Sequence, residues 1–170
     1  MTVVEKSVKP EDKDLLNLIG AINSTANFSD DTTVLGNPTE SAILKSIGIT
    51  ATTELREEYE ILNRIPFSSA WKYMVTHAKS RQTDEEIMVI KGAPEVISRI
   101  IGRNDYLAEV ATQQERGRRA ISAAIITSLQ FDTIKKELEQ GYALKDCTYI
   151  GTWFIEDPVR SDVPAAIEKC

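Results

Sequence analysis

Two lysines and a phenylalanine are the side chains whose surroundings most favour ligand binding. Lys91 ends an apolar stretch and is followed by Gly92, and Lys72 stands five residues after Phe67. A lysine beside a glycine at a strand end can face a cleft, because glycine lets a ligand approach the backbone. The Phe67 ring could stack on a nucleotide base, since an aromatic face accepts any heterocycle. Each feature also has a structural interpretation, with Phe67 in the core, Lys72 solvated and Lys91–Gly92 in a turn.

Other site chemistries are poorly supported by the residues. The single histidine, His77, falls in a predicted strand, and the two cysteines, Cys147 and Cys170, are far from it. This set is too small for a zinc cluster, and we expect both cysteines to be reduced. The sequence has neither G-x-x-x-x-G-K-[ST] nor G-x-G-x-x-G, so a nucleotide would not bind in either of those cradles. We therefore predict no catalytic residue and no metal ligand.

The composition is that of one globular domain. The chain has 170 residues, of which 42% are hydrophobic and 27% charged, which is ordinary for a folded domain. The net charge of -6 disfavours nucleic acid as a partner, because an acidic surface repels phosphate backbones. A nucleotide site would therefore need a local cluster of basic residues. The sequence has no apolar stretch of the ~18 residues that span a bilayer and no secretory signal at its start.

The hydrophobic pattern predicts an α+β fold, an antiparallel β-sheet flanked by helices. Helices are expected over residues 11–26, 37–48, 51–58, 93–101, 104–118 and 131–140. Strands are expected over residues 61–65, 71–78, 87–91, 120–128 and 147–155, with a loop over 27–36. The strand pairs lack regular helical crossovers, and this favours an antiparallel sheet.

The second predicted helix has clear signals at its start. Asn37 is a favourable N-cap residue, and Pro38 suits the first helical position. Glu40 stands where the carboxylate of a capping box would bind back to the N-cap amide. We therefore expect the helix to begin at Asn37.

Five sequence blocks resemble the nucleotide-binding domain of P-type cation-transporting ATPases. Lys91-Gly-Ala-Pro-Glu resembles the KGAPE signature, Gly36-Asn-Pro-Thr-Glu-Ser-Ala the block GNPTE-x-A, and Phe67-Ser-Ser-Ala-Trp-Lys the block F-x-x-x-x-K. Arg119 with the apolar run after it is similar to an arginine-plus-strand block. Residues 151–163, which contain Glu156-Asp-Pro-Val-Arg, resemble the return hinge into the phosphorylation domain. The blocks keep the family's order over residues 10–170 and look most like plasma-membrane-type calcium pumps.

The resemblance implies an ATP site formed by Glu40, Phe67, Lys72, Lys91, Gly92, Ala93 and Arg119. Phe67 would stack on the adenine, and Glu40 would lie near the adenine amino group. Lys72 and Lys91 would line the pocket and offset phosphate charge. Gly92 would let the ring approach the backbone closely.

Two positions leave alternatives open. Arg119 would reach the phosphates, and it is favoured over Arg118 because it abuts the apolar run. Trp71 stands where many members of the family carry a polar or basic residue. It is either a packing residue or a wider part of the apolar wall.

The resemblance also implies a role in a larger pump. Residues 1–156 would form the nucleotide-binding domain, and residues 157–170 the hinge and the start of the phosphorylation domain. The phosphorylation motif D-K-T-G-T does not occur in the sequence. ATP with Mg²⁺ would therefore be presented to the aspartate of a separate domain, and would power transport of a cation, with calcium favoured.

Partners and alternatives follow from the same resemblance. The chain would be a cytoplasmic domain of an integral membrane protein, monomeric when isolated, with the phosphorylation and actuator domains as partners. Two alternatives are a non-catalytic interaction module on the same scaffold and the nucleotide-binding domain of a pump for another cation. A free-standing hydrolase is disfavoured, because the sequence offers no nucleophile with a paired base.

Overall fold

Eight strands and six α-helices lie in the part of the chain that the computed structural model describes, residues 1–30, 32–128 and 130–157. The strands are β1 (Thr2–Val8), β2 (Asn27–Phe28), β3 (Val34–Leu35), β4 (Tyr59–Ile65), β5 (Tyr73–Ser80), β6 (Glu86–Gly92), β7 (Arg119–Ile126) and β8 (Cys147–Glu156). The helices are α1 (Lys13–Ile22), α2 (Pro38–Ile47), α3 (Ile49–Glu58), α4 (Pro94–Ile101), α5 (Leu107–Glu115) and α6 (Phe131–Glu139). A 3₁₀ turn, Pro10–Asp12, precedes α1. The predicted hinge lies outside the described residues except for Asp157.

Six of the strands form one antiparallel sheet in the order β1-β8-β7-β6-β5-β4. Strands β2 and β3, of two residues each, form a separate antiparallel hairpin. The prediction of an antiparallel sheet flanked by helices is therefore confirmed. Within the described residues, none of the helices is long and apolar enough to cross a bilayer.

The central strands are buried on both faces, because helices cover each side of the sheet. Val89 and Ala123 belong to the core that includes α1 and α2. The next residue in each strand, Ile90 and Ala124, belongs to the core that includes α4 and α6. Successive side chains of a strand point to opposite faces, so β6 and β7 must be apolar at nearly every position. This explains the continuous apolar runs of these two strands.

Three elements differ from the sequence prediction. Strand β1 was not expected, because its charged residues hide the pattern; it is an edge strand that pairs with β8. The expected loop over 27–36 contains the β2–β3 hairpin. Helix α1 ends at Ile22 rather than at residue 26, because the side chain of the next residue, Asn23, binds to β5. Its amide group donates to the Met74 carbonyl at 2.9 Å, and its Oδ1 atom accepts a hydrogen bond from the Thr76 hydroxyl at 2.7 Å.

The start of α2 is confirmed, with one correction. The Asn37 Oδ1 atom accepts hydrogen bonds from the amides of Thr39 at 2.8 Å and Glu40 at 3.4 Å. The Glu40 carboxylate does not follow the capping-box prediction, because it turns away to Lys91 and Thr25. Tertiary contacts of the Glu40 carboxylate, to Lys91 and Thr25, thus replace the expected local contact with the N-cap amide.

Replacing Asn37 with alanine tests how much the cap contributes. The substitution leaves two amides of the first turn without their acceptor, and we expect the free energy of unfolding to fall by about 1 kcal/mol. Urea denaturation followed by circular dichroism measures the change. Asn37→Ser is the matched control, because serine retains a capping oxygen, and it should stay close to the wild type. An equal loss in both variants would mean that the cap is not the cause.

Candidate functional site

A cavity of about 410 Å³ opens on the face of the sheet that α1, α2 and α3 cover, where α2 begins and β6 ends. Its lining residues are Thr25, Asn37, Thr39, Glu40, Ile43, Pro66, Phe67, Met74, Lys91, Gly92 and Ile121. The volume lies in the range of small-molecule sites, which combine apolar walls with a few polar groups. This cavity brings together four of the predicted site residues, from α2, β6 and the loop before β5.

A buried ion pair forms the polar end of the cavity. The Lys91 Nζ atom lies 3.1 Å from Glu40 Oε1, and the two side chains are 7% and 11% exposed. The other Glu40 oxygen accepts hydrogen bonds from the Thr25 amide at 3.2 Å and the Thr25 hydroxyl at 3.0 Å. A carboxylate can accept about four hydrogen bonds, so Glu40 keeps capacity for a donor from a ligand.

The protonation of this pair depends on both partners. Burial alone would raise the pKa of Glu40, but the charge of Lys91 and hydrogen bonds from Lys91 and Thr25 outweigh it, so the pKa lies below its ordinary value of 4.5. Burial lowers the pKa of Lys91, and Glu40 opposes that shift. Glu40 is therefore a carboxylate at neutral pH, and Lys91 relies on it to remain charged.

Phe67 lies at the cavity mouth on a loop that Trp71 holds in place. The Phe67 residue is 52% exposed, so part of its surface is available to a ligand. The Trp71 indole Nε1 donates to the Pro66 carbonyl at 3.1 Å, and its ring packs at a tilt on Tyr73, with centroids 6.1 Å apart. Trp71 lies outside the cavity lining. It is a packing residue that closes the loop carrying Phe67.

The close approach of the backbone at the start of β5 requires a glycine at position 92, whether or not a ligand binds. A Cβ atom at this position would lie 2.3 Å from the Lys72 carbonyl oxygen and 2.9 Å from Tyr73 Cα. The same carbonyl accepts the Ala93 amide at 3.1 Å, and Lys72 has a left-handed backbone with φ of 61°. The side chain of Lys72 is exposed, and Lys72 and Ala93 lie outside the cavity lining.

The two adjacent arginines have different surroundings. Arg118 forms ion pairs with Glu5 at 3.1 Å and Glu156 at 3.4 Å. Arg119 is 60% exposed at the side chain and lies 3.7 Å from Asp157. Because residues two apart in a strand share a face, Arg119 lies on the same face as Ile121, which lines the cavity. The geometry favours Arg119 as the arginine available to a ligand, although it is outside the lining itself.

Some lining residues carried no signal in the sequence. Thr25 and Met74 have ordinary neighbours along the chain and reach the cavity through the fold. A larger hollow of about 600 Å³ lies between β1 and α1 and includes Lys6, Lys13 and Asn17. We place the site in the smaller cavity, because its buried ion pair and exposed aromatic ring are features of ligand binding. Among the described residues, the His, Cys, Asp and Glu side chains form no group of three that could hold a metal ion.

Comparison with known proteins agrees with the blocks found in the sequence. Residues 11–115 match the family model described as P-type ATPase, cytoplasmic domain N. The chain is 28% identical, over 91% of its length, to the phospholipid-transporting ATPase NEO1 of Saccharomyces cerevisiae. It is 27% identical over 97% of its length to calcium-transporting ATPase 2 of Schizosaccharomyces pombe, and 29% over 90% to a calcium-transporting ATPase of Bacillus subtilis. The chain spans between 15% and 19% of the length of these relatives.

Replacing Gly92 with alanine should destabilise the protein without any ligand. The new methyl group would clash with the β5 backbone, and we expect a loss of about 2 kcal/mol in the free energy of unfolding. Gly102→Ala is the comparison, because a Cβ there meets nothing within 4 Å and strains only a backbone with φ of 70°; about 1 kcal/mol is expected. If Gly92→Ala is as stable as the wild type, the clash is relieved and the glycine is needed only for a ligand.

Replacing Glu40 with glutamine should change how stability depends on pH. The pKa of Glu40 is lowered by folding, so its contribution is fully present above pH 4.5 and is lost as the pH falls through the folded-state pKa. At pH 6 we expect Glu40→Gln to be about 3 kcal/mol less stable than the wild type, because Lys91 loses its partner. This difference should shrink below pH 4.5. Urea denaturation at pH 6, 4.5 and 3 measures it.

Glu54→Gln is the control for this pH experiment. Glu54 is an exposed residue of α3, and the variant should follow the wild-type profile. A constant difference between Glu40→Gln and the wild type at all three pH values would contradict the expected ionisation of Glu40.

Proposed function

The chain belongs to the family of P-type ATPase cytoplasmic N domains, and on that premise we propose that it binds ATP in the Glu40–Lys91 cavity. Its task is to present the γ-phosphate to an aspartate of a separate phosphorylation domain. The observation that carries the proposal is the meeting of Phe67, Glu40 and Lys91 around one cavity. Three distant parts of the chain supply these side chains, and each offers a different contact to an adenine nucleotide.

An adenine ring fits the chemistry of the cavity. Its face stacks on the exposed Phe67 ring, and such a contact contributes about 1–3 kcal/mol for a base. Ile43, Met74 and Ile121 supply apolar surface for the ring. The amino group of adenine is a hydrogen-bond donor, and Glu40 is a charged acceptor in the lining that retains capacity for it.

The phosphates lie toward the basic side chains at the edge of the cavity. Arg119 is two residues from Ile121 along β7, about 7 Å at the rise of a strand. Its guanidinium is exposed, and its ion pair with Asp157 is long at 3.7 Å, so a phosphate can compete for it. Lys72 adds a second exposed positive charge. Magnesium enters as part of the MgATP substrate.

Within a whole pump, the domain contributes positioning. Phosphoryl transfer depends on positioning and on stabilisation of charge, and the sequence lacks the D-K-T-G-T motif that would carry the aspartate. We propose cation transport with calcium as the favoured ion, because two of the relatives reported above are calcium-transporting ATPases. The domain is proposed to be cytoplasmic, monomeric when isolated, and to work with the phosphorylation and actuator domains of the same pump.

An NMR titration of the isotope-labelled chain with ATP, with and without Mg²⁺, tests the proposal. Saturable shifts are expected at Glu40, Phe67 and Lys91. Phe67→Ala should weaken ATP binding about tenfold or more through the lost stacking, and the fold should persist because the ring is half exposed. Tyr142→Ala is the matched control, since Tyr142 is 61% exposed on the chain after α6 and should leave the affinity unchanged.

Two outcomes would contradict the proposal. If millimolar ATP shifts no resonance, the isolated domain does not bind ATP, and the alternative of a non-catalytic interaction module is favoured. If ATP binds but Phe67→Ala and Tyr142→Ala have equal affinities, the base does not stack where we place it.

A further inference from the structure

The segment between α1 and β2 forms one wall of the cavity although it has no regular structure. It covers residues 23–26, and its Thr25 lines the cavity and binds Glu40 through both its amide and its hydroxyl. The Asn23 amide still donates to the Ile19 carbonyl at 3.0 Å, and the rest of a segment without regular structure must be held by other groups. We call residues 21–27, which are this stretch with the last two residues of α1 and the first residue of β2, the wall segment.

Arg56 of α3 binds the wall segment at three points. Its Nε atom donates to the Ala21 carbonyl, its Nη2 to the Ala26 carbonyl and its Nη1 to the Asn27 side chain, each at 2.8 Å. One guanidinium thus spans the segment from end to end. Thr25 lies between these contacts, so its position depends on them.

Arg64 of β4 ties the same segment to the sheet. Its Nη2 atom donates to the Ile22 carbonyl at 2.6 Å, and its Nε to the Thr76 hydroxyl at 3.2 Å. That hydroxyl donates to Asn23 Oδ1 at 2.7 Å, and the Asn23 amide donates to the Met74 carbonyl at 2.9 Å. The wall segment is therefore fixed to the strand that carries Met74, another lining residue.

The charge of Glu40 acts on both guanidiniums. Both are half-buried, and burial lowers the pKa of each. The charge of Glu40 opposes this shift for both side chains, whereas the charge of Arg64 lowers the pKa of Arg56 further. Neither arginine belongs to the cavity lining.

We propose that Arg56 and Arg64 are positioning residues that hold Thr25, and through it the Glu40 carboxylate, in place for the amino group of the base. This inference rests on the proposed ATP site and deepens it. Selectivity for adenine over a base with an oxygen at that position then depends on two arginines outside the cavity. A site with a fixed acceptor discriminates against a ligand that lacks the matching donor. If the Glu40 carboxylate moves out of place, this discrimination becomes weaker.

The test compares MgATP with MgITP, whose base carries an oxygen in place of the amino group. Dissociation constants are measured by NMR titration for the wild type, Arg56→Gln and Arg56→Lys. We expect Arg56→Gln to bind ATP about tenfold more weakly, the size of effect expected for one lost hydrogen bond to a charged group. ITP affinity should change less than about threefold, and Arg56→Lys should fall between wild type and Arg56→Gln.

Arg103→Gln is the matched control for charge. Arg103 is exposed and pairs with Asp105, so its loss changes the net charge equally and should leave the affinities for ATP and ITP unchanged. Equal loss of ATP and ITP affinity in Arg56→Gln would overturn the inference in favour of a purely structural role. Unchanged affinities would overturn it as well.

A second readout needs no nucleotide. The Glu40 carboxyl can be titrated by carbon NMR, and we expect its pKa to rise in Arg56→Gln and in Arg64→Lys. The Arg64→Lys variant provides this measurement if Arg56→Gln does not fold. Failure of the wild type to bind ATP would contradict the proposed function, whereas an unaltered Glu40 titration in folded variants would contradict only the role of the arginines.

Discussion

The ammonium group of Lys91 is the constraint on which the cavity depends. A lysine this deeply buried is unfavourable unless it is paired, and Glu40 is its partner at 3.1 Å. This pairing requires the first turn of α2 to face the end of β6, and the Asn37 cap sets where that turn begins. The cavity is therefore the space left between a capped helix start and a strand end that one ion pair joins.

The sheet makes this arrangement stiff. The inner strands β6 and β7 are packed on both faces, so a shift of β6 would disturb two cores at once. Gly92 adds a second constraint, because the Lys72 carbonyl approaches too closely for any Cβ. The loop that carries Phe67 runs between Ile65 and Tyr73 and is closed by the Trp71 hydrogen bond. A rigid sheet and a short closed loop would position the proposed adenine ring with little freedom.

Sequence signals between near neighbours, such as cap residues and hydrophobic patterns, predicted some elements correctly and failed for others. The helix start at Asn37 followed from its cap residues. The strands expected over residues 71–78 and 87–91 followed from short runs of β-branched and aromatic residues, a signal that also acts between near neighbours. Strand β1 was missed, because an edge strand with charged residues carries a weak pattern. Glu40 was assigned to a capping box, and its tertiary partners took precedence. Thr25 and Arg56 were not expected at all, since their contacts join residues 15 to 35 positions apart.

These distant contacts explain why the family blocks include residues that line the candidate cavity but not the residues that support it. The blocks mark residues around Phe67, Glu40 and Lys91, and the cavity gathers all three. The wall segment precedes the first of these blocks in the chain, and its shape comes from arginines on α3 and β4. An irregular segment costs conformational entropy to order, so holding it needs contacts that are strong and directional. Guanidinium groups supply several such contacts at fixed angles, and here two of them hold the segment whose Thr25 binds the Glu40 carboxylate.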